Sequence, residues 1–315
     1  MAIPKVAVFG EALFDMIQQQ DGSYQPFIGG SPFNVARSFV KQAIDCTYLS
    51  PISTDYLGEK IHSSVISEGI HVPANNRSSK NTSLALVYKA EDGKPNYRLY
   101  RKSVADLDIT SEKLLSMLPD DLDLFHTGSL AIVPEMLEVL IPVITTLKSR
   151  GVKISIDVNV RKGVEENHHQ YVASIWRFVE FADIVKVSDE DLQLKGLYGK
   201  PEFHAKSMLD RMENGMVVLT LGEGGSHLIT DQYNLFQAVH KPAVFGDTVG
   251  AGDTFFSAML ARLLKNDALC TSAPEETLMD GLRFGAVAAG LNVESIGCNP
   301  PTFEQVETLI SSLNK

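Results

Sequence analysis

The chain has 315 residues, 44% hydrophobic and 21% charged, enough for one large core or for a core with an appendage. With 28 basic against 39 acidic residues the net charge is −11, which excludes a binder of nucleic acid or anionic membrane acting through charge alone. No apolar run approaches the ~20 residues of a membrane span, and the first ten residues read as a strand, not a signal peptide. The three cysteines, Cys46, Cys270 and Cys298, are widely spaced and the eight histidines form no HExxH, so a reducing cytoplasm fits and no metal-ligand pattern emerges.

Taken in chain order, residues 5–9 are β-rich and end at Gly10, which predicts an opening strand. Residues 13–18 and 24–28 flank Asp21-Gly22 and predict a hairpin. Asp15 is a charge among apolar neighbours there. It either faces solvent or faces inward with hydroxyl or cationic partners. Gly29-Gly-Ser-Pro-Phe-Asn34 closes the hairpin and predicts a helix to about Ile44, with Ser31 as cap and Pro32 at the first helical position. Its glycines admit a ligand to the backbone, and Asn34 offers a donor and an acceptor to hydroxyls. A plain hairpin-to-helix turn would use the same residues. Residues 83–88 and 97–101 predict a second hairpin around Glu91-Asp92-Gly93. Two hairpins in the first third predict a small β-sheet appended to a larger layer. Beyond them, strand candidates at 122–126, 153–157, 184–187 and 217–221 alternate with helical stretches, which predicts a mostly parallel sheet covered on both faces. No linker divides the chain. Residues 1–315 therefore read as a single α/β domain, with a β lid built from about 11–29 and 82–105.

The segment 247–260 carries the most chemistry. Asp247 and Asp253 bracket Gly250-Ala251-Gly252, and Phe255, Phe256, Met259, Leu260, Leu263 and Leu264 follow at helical spacing. A helix starting at the glycine turn is predicted. Backbone N–H groups at such a terminus lack intrahelical partners, and with the helix dipole they form an anion site. Gly250 and Gly252 leave no side chain to block a phosphate. A carboxylate at Asp253 would be repelled by that anion unless it takes a proton from an attacking hydroxyl. The segment reads as the catalytic end of a phosphotransferase, or else as a capped helix in which Asp253 only favours the dipole. There is no GxxxxGK[ST] loop and no protein-kinase signature to bind ATP otherwise.

Gly10-Glu-Ala-Leu-Phe-Asp15, Gly29-Gly-Ser-Pro-Phe-Asn34, Asp157-Val-Asn-Val-Arg161, Lys186-Val-Ser188, Thr220-Leu-Gly222 and the 247–253 segment stand in this order. In that combination the chain resembles the ribokinase-like (PfkB) carbohydrate kinases over nearly its whole length. The resemblance implies a three-layer α/β sandwich with a mostly parallel central sheet, a β-sheet lid over a sugar, and ATP-dependent phosphorylation of a sugar hydroxyl. It implies Asp253 as general base and Gly250, Ala251 and Gly252 as the anion hole. Asp15, Gly29, Gly30 and Asn34 match sugar-binding positions; Thr220, Gly222 and Gly225 match the nucleotide loop, with Lys186 and Ser188 beside it. Asp247, with Val249, Asn292 and Gly297, matches a potassium site. The family often has Asn-x-x-Glu where this chain has Ser188 and Asp191, so Glu190 or Asp191 is the acid expected to support Mg²⁺ through water. Asn292-Val-Glu-Ser-Ile-Gly-Cys298 stands where the family usually has Ala-Val-Thr-Arg-x-Gly-Ala.

Within the family, these segments look like the fructokinase and 2-keto-3-deoxygluconate kinase branch. Tyr100-Arg-Lys-Ser-Val-Ala-Asp106 resembles the fructokinase form of the lid strand, and Arg101 and Arg161 are expected to reach the sugar or a phosphate. Fructose is the expected acceptor. A 2-keto-3-deoxygluconate or riboside kinase is the alternative, and a sugar or nucleotide sensor that kept the fold is the non-enzyme alternative. The resemblance also implies a homodimer paired through the lid hairpins.

Overall fold

Residues Lys5–Phe9, Lys153–Asp157 and Met216–Thr220 are aliphatic runs buried almost throughout, as central strands of a doubly covered sheet must be. The computed structural model describes residues 3–89, 95–161 and 167–313. It joins these strands into an eight-stranded sheet. From one edge to the other the order is Asn234–Gln237, Ser226–Ile229, Met216–Thr220, Ile184–Ser188, Lys153–Asp157, Leu124–Gly128, Lys5–Phe9 and Asp45–Tyr48. Neighbours run parallel from Asp45–Tyr48 through Met216–Thr220, and the two strands at the far edge are antiparallel.

One face packs Phe9, Phe125, Ile154, Ile156 and Val187 against Leu140, Ile144, Tyr171 and Phe178. The other packs Val6, Val8, Leu124, Ile184 and Val218 against Phe33, Phe39, Phe256 and Leu260. Strand alternation places a polar strip within this second layer. His126 pairs across the ladder with Ser155, and Asp157 with Lys186. The strip runs beneath the helix Ala251–Lys265, whose Phe256 ring meets His126 edge-on at 5.9 Å.

The two hairpins form one four-stranded sheet, in the order Tyr24–Gly29, Leu13–Gln18, Leu84–Lys89, Pro95–Tyr100. The parallel pairing of Leu13–Gln18 with Leu84–Lys89 joins them. The turn at Glu91-Asp92-Gly93 lies outside the described residues.

Several boundaries differ from expectation. Gly30, not Ser31, is the N-cap of helix Ser31–Lys41, with φ 117°. The Ser31 hydroxyl is spent on Asp253 instead, and Pro32 becomes the second helical residue. The helix stops short of Ile44 because Ala43 turns left-handed, φ 55°. The strand expected at 122–126 runs Leu124–Gly128 and that at 217–221 runs Met216–Thr220. The edge strands Asp45–Tyr48, Ser226–Ile229 and Asn234–Gln237 were not predicted, being short and mixed in polarity. Among the described residues no helix is long and apolar enough to cross a membrane.

Candidate active site

The parallel strands run in one direction, so Gly10-Glu11, Gly128-Ser129, Asp157, Ser188 and Thr220 lie at one end of the sheet, where Lys186 meets the start of helix Ala251–Lys265. Gly250 is that helix's N-cap, left-handed at φ 74°, and a Cβ on it would land 2.3 Å from Cys298 Sγ. Both facts require glycine. Gly252 is different. A Cβ there would meet only the Lys186 side chain, at 3.5 Å, so the gap between the helix N-terminus and that amine is open to an anion.

Lys186 is buried, and its Nζ donates to both oxygens of Asp157 at 2.9 Å. Burial alone would pull its pKa down, but the charges of Asp157 and Asp191 outweigh it and hold the group above its ordinary value. It stays a cation. Burial pushes Asp157 up to about 6, with Lys186 opposing. Burial, aided by Lys186, drives His126 down to about 3 and keeps it neutral.

Asp253 is the third residue of the helix and is 8% exposed. Its Oδ1 accepts from Ser31 Oγ at 2.7 Å and its Oδ2 from Asn34 Nδ2 at 2.9 Å. Asn34 thus spends its amide on Asp253. Gly29 packs against Asp15, whose Oδ2 would lie 2.2 Å from an added Cβ and would have to swing away from it. The Asp15 carboxylate therefore lies across the turn, facing inward from the small sheet. Burial raises its pKa and Arg161 opposes the rise. Arg161 itself is exposed.

Arg101 is placed otherwise than expected. Its Nη1 donates to the Leu130 carbonyl at 2.8 Å and its Nη2 to Asp106, whose Oδ1 accepts from Ser83 Oγ at 2.5 Å. The side chain stitches the small sheet to the loop after Leu124–Gly128, with only Nε left without a partner.

In the loop after Met216–Thr220, Thr220 ends its strand, Gly222 turns left-handed at φ 55°, and Gly225 at φ 96° leaves room for the Gln237 carbonyl. Ser188 caps helix Asp189–Leu194 through a reciprocal pair. Asp191 N–H donates to Ser188 Oγ at 3.0 Å, and Ser188 N–H donates to Asp191 Oδ2 at 2.8 Å. Asp191 Oδ1 accepts from Val160 N–H at 2.6 Å. Asp191 is therefore buried and engaged on both oxygens, while Glu190 in the same turn faces solvent. Among the described residues no group of three His, Cys, Asp or Glu is arranged to hold a metal.

Asp247 accepts from Val249 N–H at 2.9 Å and from Gly297 N–H at 2.7 Å, and Asn292 Nδ2 donates to the Val249 carbonyl at 2.9 Å.

Sequence reasoning missed Glu11, Ser31 and Asp157. Glu11 is 2% exposed, its Oε1 accepts from Ser31 N–H at 3.3 Å, and its Oε2 has no partner. Burial pushes it to about 7 against the pull of Arg101 and Arg161. The available signal was an acid just past a strand end, where an apolar run stops.

The pattern shared by the pfkB family carbohydrate kinases matches residues 3–305. The chain is 30% identical over 281 residues to the fructokinase of Rhizobium leguminosarum bv. trifolii, covering 86% of this chain and 85% of that one. It is 26% identical over 320 residues to fructokinase-2 of Solanum habrochaites, covering 97% and 95%. Among solved structures, fructokinase from Xylella fastidiosa with bound ATP matches at TM-score 0.88 and 25% identity over 99% of both chains.

Proposed function

The chain belongs to the pfkB family of carbohydrate kinases and is an ATP-dependent sugar kinase, and from that premise we propose that it phosphorylates a primary hydroxyl of free fructose. The observation that carries this reading is the position of Asp253. It is aimed by Ser31 and Asn34 and is the third residue of a helix whose Gly252 gap faces the buried Lys186 ammonium.

In this mechanism Asp15, the Gly29-Gly30 backbone and the Asn34 carbonyl oxygen orient the sugar beneath the small sheet, which acts as a lid. Arg161 lies close enough to Asp15 to share that task. Asp253 accepts the hydroxyl proton as the sugar oxygen bonds to the γ-phosphorus and the bond to the ADP oxygen breaks. The N–H groups of Gly250 and Gly252 stabilise the transferring charge, joined by that of Ala251 once it gives up its bond to the Thr248 carbonyl, and Lys186 neutralises it from the other side. Thr220, Gly222 and Gly225 line the nucleotide loop, with Ser188 beside it. When bound, Mg·ATP supplies the phosphoryl group and part of the charge neutralisation, with Glu190 the acid available to the metal's waters and Asp191 the residue that holds that turn in place.

The choice of a neutral sugar over a keto acid is supported by Arg101, whose guanidinium is committed to Asp106 and Leu130 and so is poorly placed to clamp a carboxylate. The relatives named as fructokinases support it too. Tyr24, Phe27, Tyr97 and Tyr100 leave exposed rings on the small sheet, which supports a homodimer paired there, working on soluble sugar in the cytoplasm.

The test is ADP release with Mg·ATP on fructose, 2-keto-3-deoxygluconate, ribose and a purine-type riboside in parallel. Fructose should lead in kcat/KM by about tenfold or more, the reach of one or two hydroxyl contacts. A lead by the keto acid or a riboside overturns the choice of sugar. Sugar-induced stabilisation with no ADP release would instead favour a sensor.

A further inference from the structure

We infer that the side-chain amide of Asn292 stands in for a monovalent cation beside the glycine turn, so that this kinase works without potassium. The inference rests on the reading of residues 250–252 as the phosphate site.

Two segments meet behind that site: residues 246–249, which lead into the turn, and residues 292–299, the last two residues of the helix Glu275–Val293 and the stretch after it. A potassium ion between them would need several oxygens with lone pairs converging on one point. Here five of the oxygens at the junction each receive an N–H donor, which leaves them fewer lone pairs to turn toward an ion. Asp247 Oδ1 accepts from Val249 N–H and Oδ2 from Gly297 N–H, at 2.9 and 2.7 Å. The Val293 carbonyl accepts from Gly246 N–H at 2.8 Å and the Ser295 carbonyl from Asp247 N–H at 3.1 Å. The Val249 carbonyl accepts from Asn292 Nδ2 at 2.9 Å.

Asn292 is fully buried and bridges the junction from both ends of its amide. While Nδ2 holds the 246–249 segment, Oδ1 accepts from Asn299 N–H at 2.8 Å and from Thr254 Oγ1 at 3.3 Å. Thr254 is the residue after Asp253, so the amide ties the approach to the turn, the catalytic helix and the C-terminal segment into one cross-link. A cation does the same by drawing carbonyls toward a point charge. The amide does it with directed hydrogen bonds and no bound ion. The alanine usual at this position in resembling kinases has no donor to offer. The charge of Asp247 is stabilised by two backbone N–H groups, which weakens the electrostatic demand for a counter-ion.

The test compares K⁺, Na⁺ and tetramethylammonium chlorides at equal ionic strength, reading ADP release on fructose and, independently, thermal unfolding without substrate. For the natural protein, rates within about twofold and no K⁺-specific rise in melting temperature are expected, because an ion bound only by the folded state must stabilise it by mass action. Activation by K⁺ of about tenfold, or a K⁺-specific stabilisation, overturns the inference. Asn292→Asp replaces the donor by an acceptor with charge, and should acquire both a K⁺-specific melting shift and K⁺-dependent turnover. Identical melting of this variant in all three salts also overturns it. If fructose is not turned over at all, the substrate reading fails while the melting curves still decide this one.

Discussion

Asp253 owes its aim to Ser31 and Asn34, which are 222 and 219 positions away in the chain. The glycines beside it separate stability from catalysis. Gly252→Ala places a methyl at ordinary contact distance from Lys186, so melting should be almost unchanged while turnover falls by about a hundredfold or more, the worth of a disrupted anion hole. Loss of stability in step with activity would contradict the open-gap reading. Glu11 makes a pH prediction. Burial raises its carboxyl from 4.5 to about 7, so the folded state binds that proton more tightly than the unfolded chain does. Its contribution is fully present below the unfolded value and is lost as pH rises through about 7. Glu11→Gln keeps an acceptor for Ser31 N–H and removes the titration. Between about pH 5 and pH 8 the variant should lose less stability than the natural chain, by on the order of 3 kcal/mol. Parallel melting curves across that range would contradict it. At this scale the sequence made the glycine turn and the helix start at Asp253 legible because their signals are local. Glu11, Ser31 and the Asp157–Lys186 pair were not, since their partners are set by strand register and helix docking.

Among the elements, the helix Ala251–Lys265 fixes the site by burying one side against the sheet. Phe256 is wholly buried there, and Phe256→Ala should cost about 3–5 kcal/mol in denaturant unfolding, the usual cost of truncating a buried aromatic. A loss under about 1 kcal/mol would mean that the helix is not anchored as described. Helix Asp189–Leu194 is too short to stand on propensity and depends on its capping box. Asp191→Ala removes the carboxylate that accepts from Ser188 N–H and Val160 N–H while leaving the residue's own N–H to donate to Ser188 Oγ, and should lower the melting temperature. Glu190→Gln should leave melting unchanged and raise the Mg²⁺ needed for half-maximal rate. The reverse pattern would exchange the two roles. The glycine-led helix was legible because apolar spacing and a breaker coincide. Ser31 was misjudged as a cap because a serine before a proline satisfies the capping rule, and only the tertiary partner diverted its hydroxyl.

For the whole molecule, alternation of apolar runs with helical stretches was enough to predict a mostly parallel, doubly covered sheet, because burial on both faces demands that pattern. The small sheet of two hairpins was expected, but the antiparallel edge and the parallel pairing of Leu13–Gln18 with Leu84–Lys89 that joins the hairpins were not legible, since pairing between distant strands leaves no local trace. That union places Asp15 over the same edge where Asp253, Lys186 and the glycine turn converge. A chain of net charge −11 can handle an anionic nucleotide there because helix-end N–H groups and one buried lysine set the local field.

The account stands most directly on Asp253→Asn, measured side by side with the natural chain for fructose binding and for ADP release under Mg·ATP. Asparagine keeps an oxygen for Ser31 but has no basic carboxylate to take the proton. Binding should stay within about threefold while turnover falls by roughly a hundred- to ten-thousandfold, the range of a lost general base. Turnover near that of the natural chain, with fructose bound as before, would contradict the assignment of Asp253 and with it the mechanism.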